Sequence, residues 1–477
     1  MDPKHADILK PVMDAESFAK LDALNNSKLH DFVADAVALC KPASVKVCDD
    51  SAEDIAYVRQ AAIRNDEERP LAMEGQTVHF DGYQSEKVHD QGRDKGATRY
   101  LVPDDMELDK TLNQTEREAG LKEIRGFLDG AMSGREAYLR FFCLGPAGSE
   151  FAIRAAQLTD SAYVGHSEDL LYRPGYEEFR GAGDDPEFFK VLHSAGRVDE
   201  RNTSADVDKR RIYIDIVEDT VLSVNTQYAG NTVGFKKLSL RMAIRKADRE
   251  GWLAEHMLIM GVHGPGGRVT YFAGAYPSGC GKTSTAMLPG ESIVGDDLAY
   301  FRIIDGEFRA ANVESGIFGI IRDVNSKDDP VIYDVLTKPG EVIFSNILVK
   351  DGKPYWVGMG QELPKEGENY SGQWHEGKTD AEGNEIQPSH WNARYTVRLS
   401  ALSNLDPEWD RRDGVTIDGV IYGGRDSDTW PPVRQSFDWT HGIVTMGASL
   451  ESETTATTLG AAGVRKFNLM SILDFLS

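Results

Sequence analysis

Apolar positions in residues 14–40 recur at helical spacing, with Phe18, Leu21, Leu24, Leu29, Phe32, Val33 and Val37 on the repeat. That period predicts helix. Lys41-Pro42 ends it, because a proline pushes the residue before it out of helical geometry. Residues 44–47 read as a short strand. The polar run CDDSAED at 48–54 reads as a turn opening a helix, with Ser51 as the cap and Asp54 three residues on. Residues 64–117 are rich in Asp, Glu and Gly and show little periodicity. Residues 138–153 and 210–224 read as strand-rich, and 241–255 as helix. The apolar segments MLIMGV (257–262), VTYFAGAY (269–276) and ESIVGDDLAYFRI (291–303) then follow between glycines, the pattern of a buried sheet. The polar stretch 360–392 is expected to be a surface excursion. The whole pattern predicts a mixed α/β protein divided near residue 220, into 1–220 and 221–477.

Composition narrows the class. A chain of 477 residues has room for about two to four domains with sizeable cores. Its 46 glycines and 19 prolines are ordinary for that length, which excludes collagen-like and wholly disordered chains. The net charge of −24 argues against broad nucleic-acid binding, which needs a basic footprint, but leaves room for a small cationic pocket. Cys40, Cys48, Cys143 and Cys280 form no CxxC pair, so a zinc ribbon is not expected and a reducing cytoplasm is. The start MDPKHADILK lacks a secretory pattern, and no apolar run approaches the roughly 18 residues of a membrane helix. We therefore expect a soluble, cytoplasmic, globular protein with no nucleic-acid or membrane partner, and take it as a monomer.

The sharpest motif is Tyr276-Pro277-Ser278-Gly279-Cys280-Gly281-Lys282-Thr283. It follows a strand-like stretch and precedes helix-like TSTAML, the context that a P-loop requires. Successive backbone N–H groups at a helix start cradle phosphate oxygens. Lys282 brings charge to the β- and γ-phosphates, and Thr283 is placed to ligate the nucleotide's Mg²⁺. Gly279, Cys280, Gly281, Lys282, Thr283 and Ser284 are the candidate nucleotide-binding set. The P-loop consensus has glycine where Tyr276 stands, and the competing interpretation is a Gly-rich turn with an incidental Lys-Thr. A helix start and a nearby lysine lower a thiol pKa, so Cys280 is expected to react with alkylating agents and to be protected by nucleotide. Ile293-Val294-Gly295-Asp296-Asp297 is an apolar strand ending in two carboxylates, which suit hard cations. Adjacent acids are also common in solvated loops; the position after the P-loop favours the metal site. Taken singly, His256 reads as structural, 228–231 as a Gly turn and the pair Lys236-Lys237 as solvated surface.

Together these residues resemble the GTP-dependent phosphoenolpyruvate carboxykinases. The resemblance is collinear: CKPASVKVCDDS, YLRFFCLGPAGSEFAIRAAQLTDSAYV, YAGN, WLAEHML, PSGCGKT, VGDDLAY, ESGIFGI, WNARY, GVIYGGR and GASLESETTAT occur in that order from about residue 30 onward. The ATP-dependent class has a different P-loop neighbourhood. The resemblance implies a two-lobed fold with the P-loop in the C-terminal lobe. It implies reversible conversion of oxaloacetate and GTP to phosphoenolpyruvate, CO₂ and GDP. It also implies Mn²⁺ held by a lysine, a histidine and an aspartate, carried over as Lys236 or Lys237, His256 and Asp297. The chain is one residue shorter than the family between Asn231 and Arg241, so helix register selects Lys236 and the lysine pair selects Lys237. Mg²⁺ accompanies the nucleotide at Thr283 and Asp296. By the same resemblance, Arg93 and Arg394 would clamp the substrate carboxylates, Tyr228, Gly230 and Asn392 would orient the substrate, Ser278 would sit against the metal-bound ligand and Arg425 would reach toward the phosphates. Cys280, Lys282 and Arg394 make up the catalytic set, and residues 449–465 match a mobile lid.

Two departures accompany the resemblance. Phe235 replaces the first of the family's two lysines if the helix register holds. The family's guanine pocket lies several dozen residues beyond the lid, whereas this sequence stops at Ser477, so the C-terminal lobe is expected to lack the segment that builds it. A non-catalytic or partner-dependent phosphate-binding relative, or a P-loop protein kinase, are the alternatives.

Overall fold

The computed structural model describes residues 1–81, 95–110, 112–183, 187–228, 235–277, 280–426, 428, 430–453 and 465–467, without the side chains of 95, 237, 238 and 465–467. The mixed α/β class predicted from the pattern is what is found. The periodic stretch 14–40 forms two helices, Ala15–Ala23 and Ser27–Cys40, rather than one. The break falls at Asn25, which takes a left-handed φ of 48°, and at Asn26, whose side chain caps the second helix by accepting from Leu29 N–H. Ser51 caps Ala52–Arg64 by accepting from Asp54 N–H, as the polar run predicts.

The first lobe is built on a mixed sheet in the order Ser44–Val47, Glu136–Leu144, Ile153–Thr159, Phe189–Ser194, Thr220–Val224, Arg211–Asp215, Thr98–Val102, Gln114–Glu116. Helices Ser27–Cys40 and Arg117–Leu128 bury Leu29, Val33, Val37, Ile124 and Leu128 beneath it. The second lobe holds a seven-stranded sheet, in which Val269–Ala275 lies between Leu258–His263 and Val415–Tyr422. A third sheet joins the two parts of the sequence: Gln76–His79 pairs in parallel with Val342–Ser345, which in turn pairs with Arg394–Arg398. Every side chain of Gln76–His79 and Val342–Ser345 is buried, so this seam is covered on both faces.

Two expectations shift. The helix expected at 241–255 spans Lys236–Glu250; Gly251 ends it at φ 76°, and Leu253–Glu255 turns into a strand against Ala299–Ile304. Residues 360–392 are not only excursion: Glu366–Asn369 and Gly372–His375 form a hairpin that buries Trp374, whose Nε1–H donates to Ile386 O at 2.7 Å. Among the described residues, no helix is long and apolar enough to cross a membrane.

Candidate active site

The phosphate loop leaves the strand Val269–Ala275 and enters a short helix, Lys282–Ala286. Gly281 precedes that helix at φ 93°, a conformation that a side chain would strain. Ser278 and Gly279 lie outside the described residues. Thr283 Oγ1 donates to Asp296 Oδ2 at 3.4 Å, and Ser284 Oγ donates to Asp329 Oδ1 at 2.7 Å. The strand Ser292–Gly295 delivers the two aspartates. A Cβ on Gly295 would stand 2.2 Å from Asn312 Oδ1, so only glycine allows this close approach just before Asp296.

Three side chains converge on Asp297. The strand register sets Glu255 opposite Ala299, which brings His256 beside Asp297, and the His256 Nε2 to Asp297 Oδ1 distance is 2.7 Å. Lys282 Nζ donates to the same Oδ1. Lys236, the first residue of its helix, puts Nζ 3.3 Å from Asp297 Oδ2 and 3.5 Å from Glu314 Oε1. All of these side chains are buried. Burial alone would raise the Asp297 pKa, but His256, Lys236 and Lys282 overcome it and hold the carboxyl well below the usual range. Burial pushes Asp296 upward, and pushes Glu314 up to about 8. Burial works against a charge on Lys236, yet Asp297 and Glu314 outweigh it and raise its pKa. The structure thus places Lys236, not only a lysine pair, in the cluster; the Lys237 side chain lies outside the described residues.

These residues fit a transition-metal ion. Their nitrogens, donors once Lys236 and His256 give up their protons, flank the Asp297 carboxylate, His256 Nε2 2.7 Å from Oδ1 and Lys236 Nζ 3.3 Å from Oδ2. Among the described residues, no group of three or more His, Cys, Asp or Glu could hold a metal, so such a site depends on the lysine.

A second group adjoins the first. Tyr228, just past the strand Thr220–Val224, accepts from Asn392 Nδ2 at 3.3 Å. Arg394 Nε donates to Asn392 Oδ1 at 3.1 Å and Nη1 to Phe318 O at 3.3 Å. The guanidinium lies 5.9 Å from the Tyr228 ring centroid and 5.2 Å from that of Phe318, a cation–π geometry. Arg394 is near enough to bear on the charge of Lys236, which ties the two groups into one site. Cys280, the one cysteine that is not buried, has Sγ 3.7 Å from Ser452 Oγ, and Arg425 N–H donates to that Oγ at 3.1 Å. Arg93 and Gly230 lie outside the described residues.

The sequence reading missed Glu314 and Phe318, although both sit in the stretch ESGIFGI used for the resemblance. It flagged Phe235 only as a departure. That ring is fully buried, edge-on to Phe142 at 5.5 Å and Tyr172 at 5.8 Å, and so pins the helix start that carries Lys236.

Residues 31–248 match the family model described as phosphoenolpyruvate carboxykinase N-terminal domain, and 252–477 the one described as phosphoenolpyruvate carboxykinase C-terminal P-loop domain. The chain is 60% identical over 470 residues to the phosphoenolpyruvate carboxykinase [GTP] of Pyrococcus abyssi, covering 98% of this chain and 75% of that protein. It is 46% identical to the enzyme of that name from Sulfurisphaera tokodaii, over 96% of this chain and 71% of the relative. It is 34% identical to that from an Anaeromyxobacter species, over 95% and 75%. With family models matching residues 31–248 and 252–477, and a relative of that name 60% identical over 98% of the chain, the chain belongs to the GTP-dependent phosphoenolpyruvate carboxykinase family.

Proposed function

We propose that the phosphoenolpyruvate carboxykinase activity of this chain is carried out by the two adjoining groups around Asp297 and Arg394. The observation that carries this reading is the convergence of Lys236, His256 and Lys282 on one buried carboxylate beside Arg394. Lys236, His256 and Asp297 would hold Mn²⁺; Thr283 and Asp296 would hold the nucleotide's Mg²⁺. When bound, the metal supplies Lewis-acid stabilisation of enolate charge. Arg394 takes a substrate carboxylate in its planar fork, oriented by Asn392 and backed by the Tyr228 and Phe318 rings. Arg93, Gly230 and Ser278 complete the substrate side in this reading, and Lys237 is relegated to a flank.

Loss of CO₂ from oxaloacetate breaks a carbon–carbon bond and leaves its electron pair on the enolate. The enolate oxygen then attacks the γ-phosphorus of GTP, and the bond to the bridging oxygen breaks to release GDP. Phosphoryl transfer of this kind rests on positioning and charge neutralisation. Lys282, in a loop of N–H groups at a helix start, neutralises charge on the transferring group. Arg425 reaches the phosphates from the end of the strand Val415–Tyr422. We divide the chain near residue 220, where Thr220–Val224 closes the first lobe's run of strands, and place it in the cytoplasm as a monomer.

The test is direct. Purified chain is incubated with oxaloacetate, Mn²⁺, Mg²⁺ and, in turn, GTP, ATP or pyrophosphate, and phosphoenolpyruvate is measured. Product with GTP that vanishes in Asp297→Asn supports the reading. Absence of product with every donor leaves a phosphate-binding relative instead.

A further inference from the structure

We propose that Ser452 is a positioning residue that clasps the phosphate loop to the arm carrying Arg425. The inference rests on the active site proposed above, and extends it to a residue outside both groups.

Three segments meet at this hydroxyl. Ser452 Oγ accepts Arg425 N–H at 3.1 Å, lies 3.7 Å from Cys280 Sγ and donates to Glu453 O at 3.2 Å. The neighbouring Glu453 N–H donates to Arg425 O at 2.8 Å, so Arg425 is held through both its backbone N–H and its C=O. Ser452 is only 8% exposed, although Arg425 and Glu451 beside it are open to solvent. Its strand, Glu451–Glu453, is itself paired with Arg465–Phe467, so the hydroxyl sits on a hydrogen-bonded ribbon. The approach is tight: a Cβ on Gly424 would stand 3.0 Å from Ser452 Cβ and 3.1 Å from Glu451 O.

This arrangement does what neither group does alone. The arm from 423 to 426 is tied to the strand Val269–Ala275 by Gly423 N–H to Ala275 O at 3.0 Å and to the Glu451–Glu453 strand by Arg425. In the phosphate loop, Cys280 N–H donates to Pro277 O at 3.0 Å, a turn bond. Ser452 bridges the two and fixes the spacing between Arg425 and the loop. A serine is required for this, since an alanine would leave the Arg425 N–H and the thiol without their shared partner.

Two variants test the clasp from different sides. Ser452→Ala removes the hydroxyl; Gly424→Ala keeps it but wedges a methyl into the contact. Each is expected to raise the KM for GTP by about fivefold, the scale of one lost hydrogen bond, with the KM for oxaloacetate and the melting temperature unchanged. Each is also expected to speed alkylation of Cys280 by iodoacetamide about threefold or more, because the thiol loses its cover. The alkylation arm needs no turnover, so it judges the clasp even if the wild-type chain forms no phosphoenolpyruvate. Unchanged alkylation and an unchanged GTP KM in both variants would overturn the proposal. So would a fall in melting temperature with equal rises in both KM values, which would mark a purely structural serine.

Discussion

Replacing His166 with glutamine should remove a stabilisation that the wild-type protein loses between about pH 6.5 and 9. His166 lies on the helix Ala162–Leu171 and is almost wholly buried. Its Nδ1 is 2.8 Å from Glu68 Oε1 and its Nε2 3.4 Å from Glu341 Oε1. Burial lowers its pKa, but the two carboxylates overcome this and raise it from 6.5 to about 9. Glu341, which also meets Arg59 at 3.2 Å, is correspondingly held down at about 2, chiefly by His166. A group whose folded pKa exceeds its unfolded one stabilises fully below the unfolded value and loses that contribution as pH rises through the folded value. At about 1.4 kcal/mol per tenfold, the shift corresponds to roughly 3 kcal/mol at pH 6, falling toward zero by pH 9.5. The assay is urea unfolding followed by tryptophan fluorescence at pH 6, 7.5 and 9.5, for wild type and His166→Gln. Titrating groups that do not touch His166, such as His79 between Asp81 and the Glu67 carbonyl, are common to both proteins and cancel in the difference. The gap in unfolding free energy should shrink by about 3 kcal/mol across this range. A gap that stays constant with pH would show that His166 is not held as a cation, and the reasoning would fail.

The remaining predictions concern the site. Lys236→Ala should weaken Mn²⁺ binding, read by calorimetry, by about a hundredfold or more, while Lys237→Ala changes it less than about threefold; the reverse order would move the ligand to Lys237. Arg394→Lys should raise the KM for oxaloacetate by about tenfold or more, because an ammonium cannot hold Asn392, Phe318 O and a carboxylate together; an unchanged KM would remove Arg394 from the substrate. Cys280 should be the first thiol alkylated, since the other three are buried, and GDP with Mg²⁺ should slow its labelling; labelling indifferent to GDP would place the nucleotide elsewhere. Gly295→Ala should cost about 2 kcal/mol or more in stability and weaken metal binding together, as Asn312 is driven off and Asp296 shifts; a normal melting curve would show that the close approach relaxes freely.

Much of this was legible in the chain because the signals were local. Ser51, the strand at 44–47 and the strand–loop–helix around Lys282 each follow from a few neighbouring residues, and the structure has them. The break at Asn25 and Asn26 inside the stretch 14–40 was missed because the apolar repeat runs on across it, while a cap depends on one side chain. Glu314 and Phe318 were quoted within a motif but given no role, since a buried carboxylate is recognised only by what surrounds it. The choice between Lys236 and Lys237 was open in the sequence because register and pairing disagreed there. What favours Lys236 is the helix start pinned by Phe235 against Phe142 and Tyr172, three rings from three distant segments that no spacing reveals.

The parallel pairing of Gln76–His79 with Val342–Ser345 has a consequence for how the protein is made. Asp81 and Asn346, which exchange hydrogen bonds at the end of that pairing, are 265 residues apart. On a ribosome moving at about 5–20 residues per second, the early strand emerges tens of seconds before its partner exists. Over that interval a strand whose residues are all destined for burial presents open backbone edges, the kind of surface that invites capture by other chains. Synthesis therefore imposes a waiting period on that strand. Cutting the gene between the lobes would make that wait permanent, so two separately expressed halves should aggregate unless they are translated together.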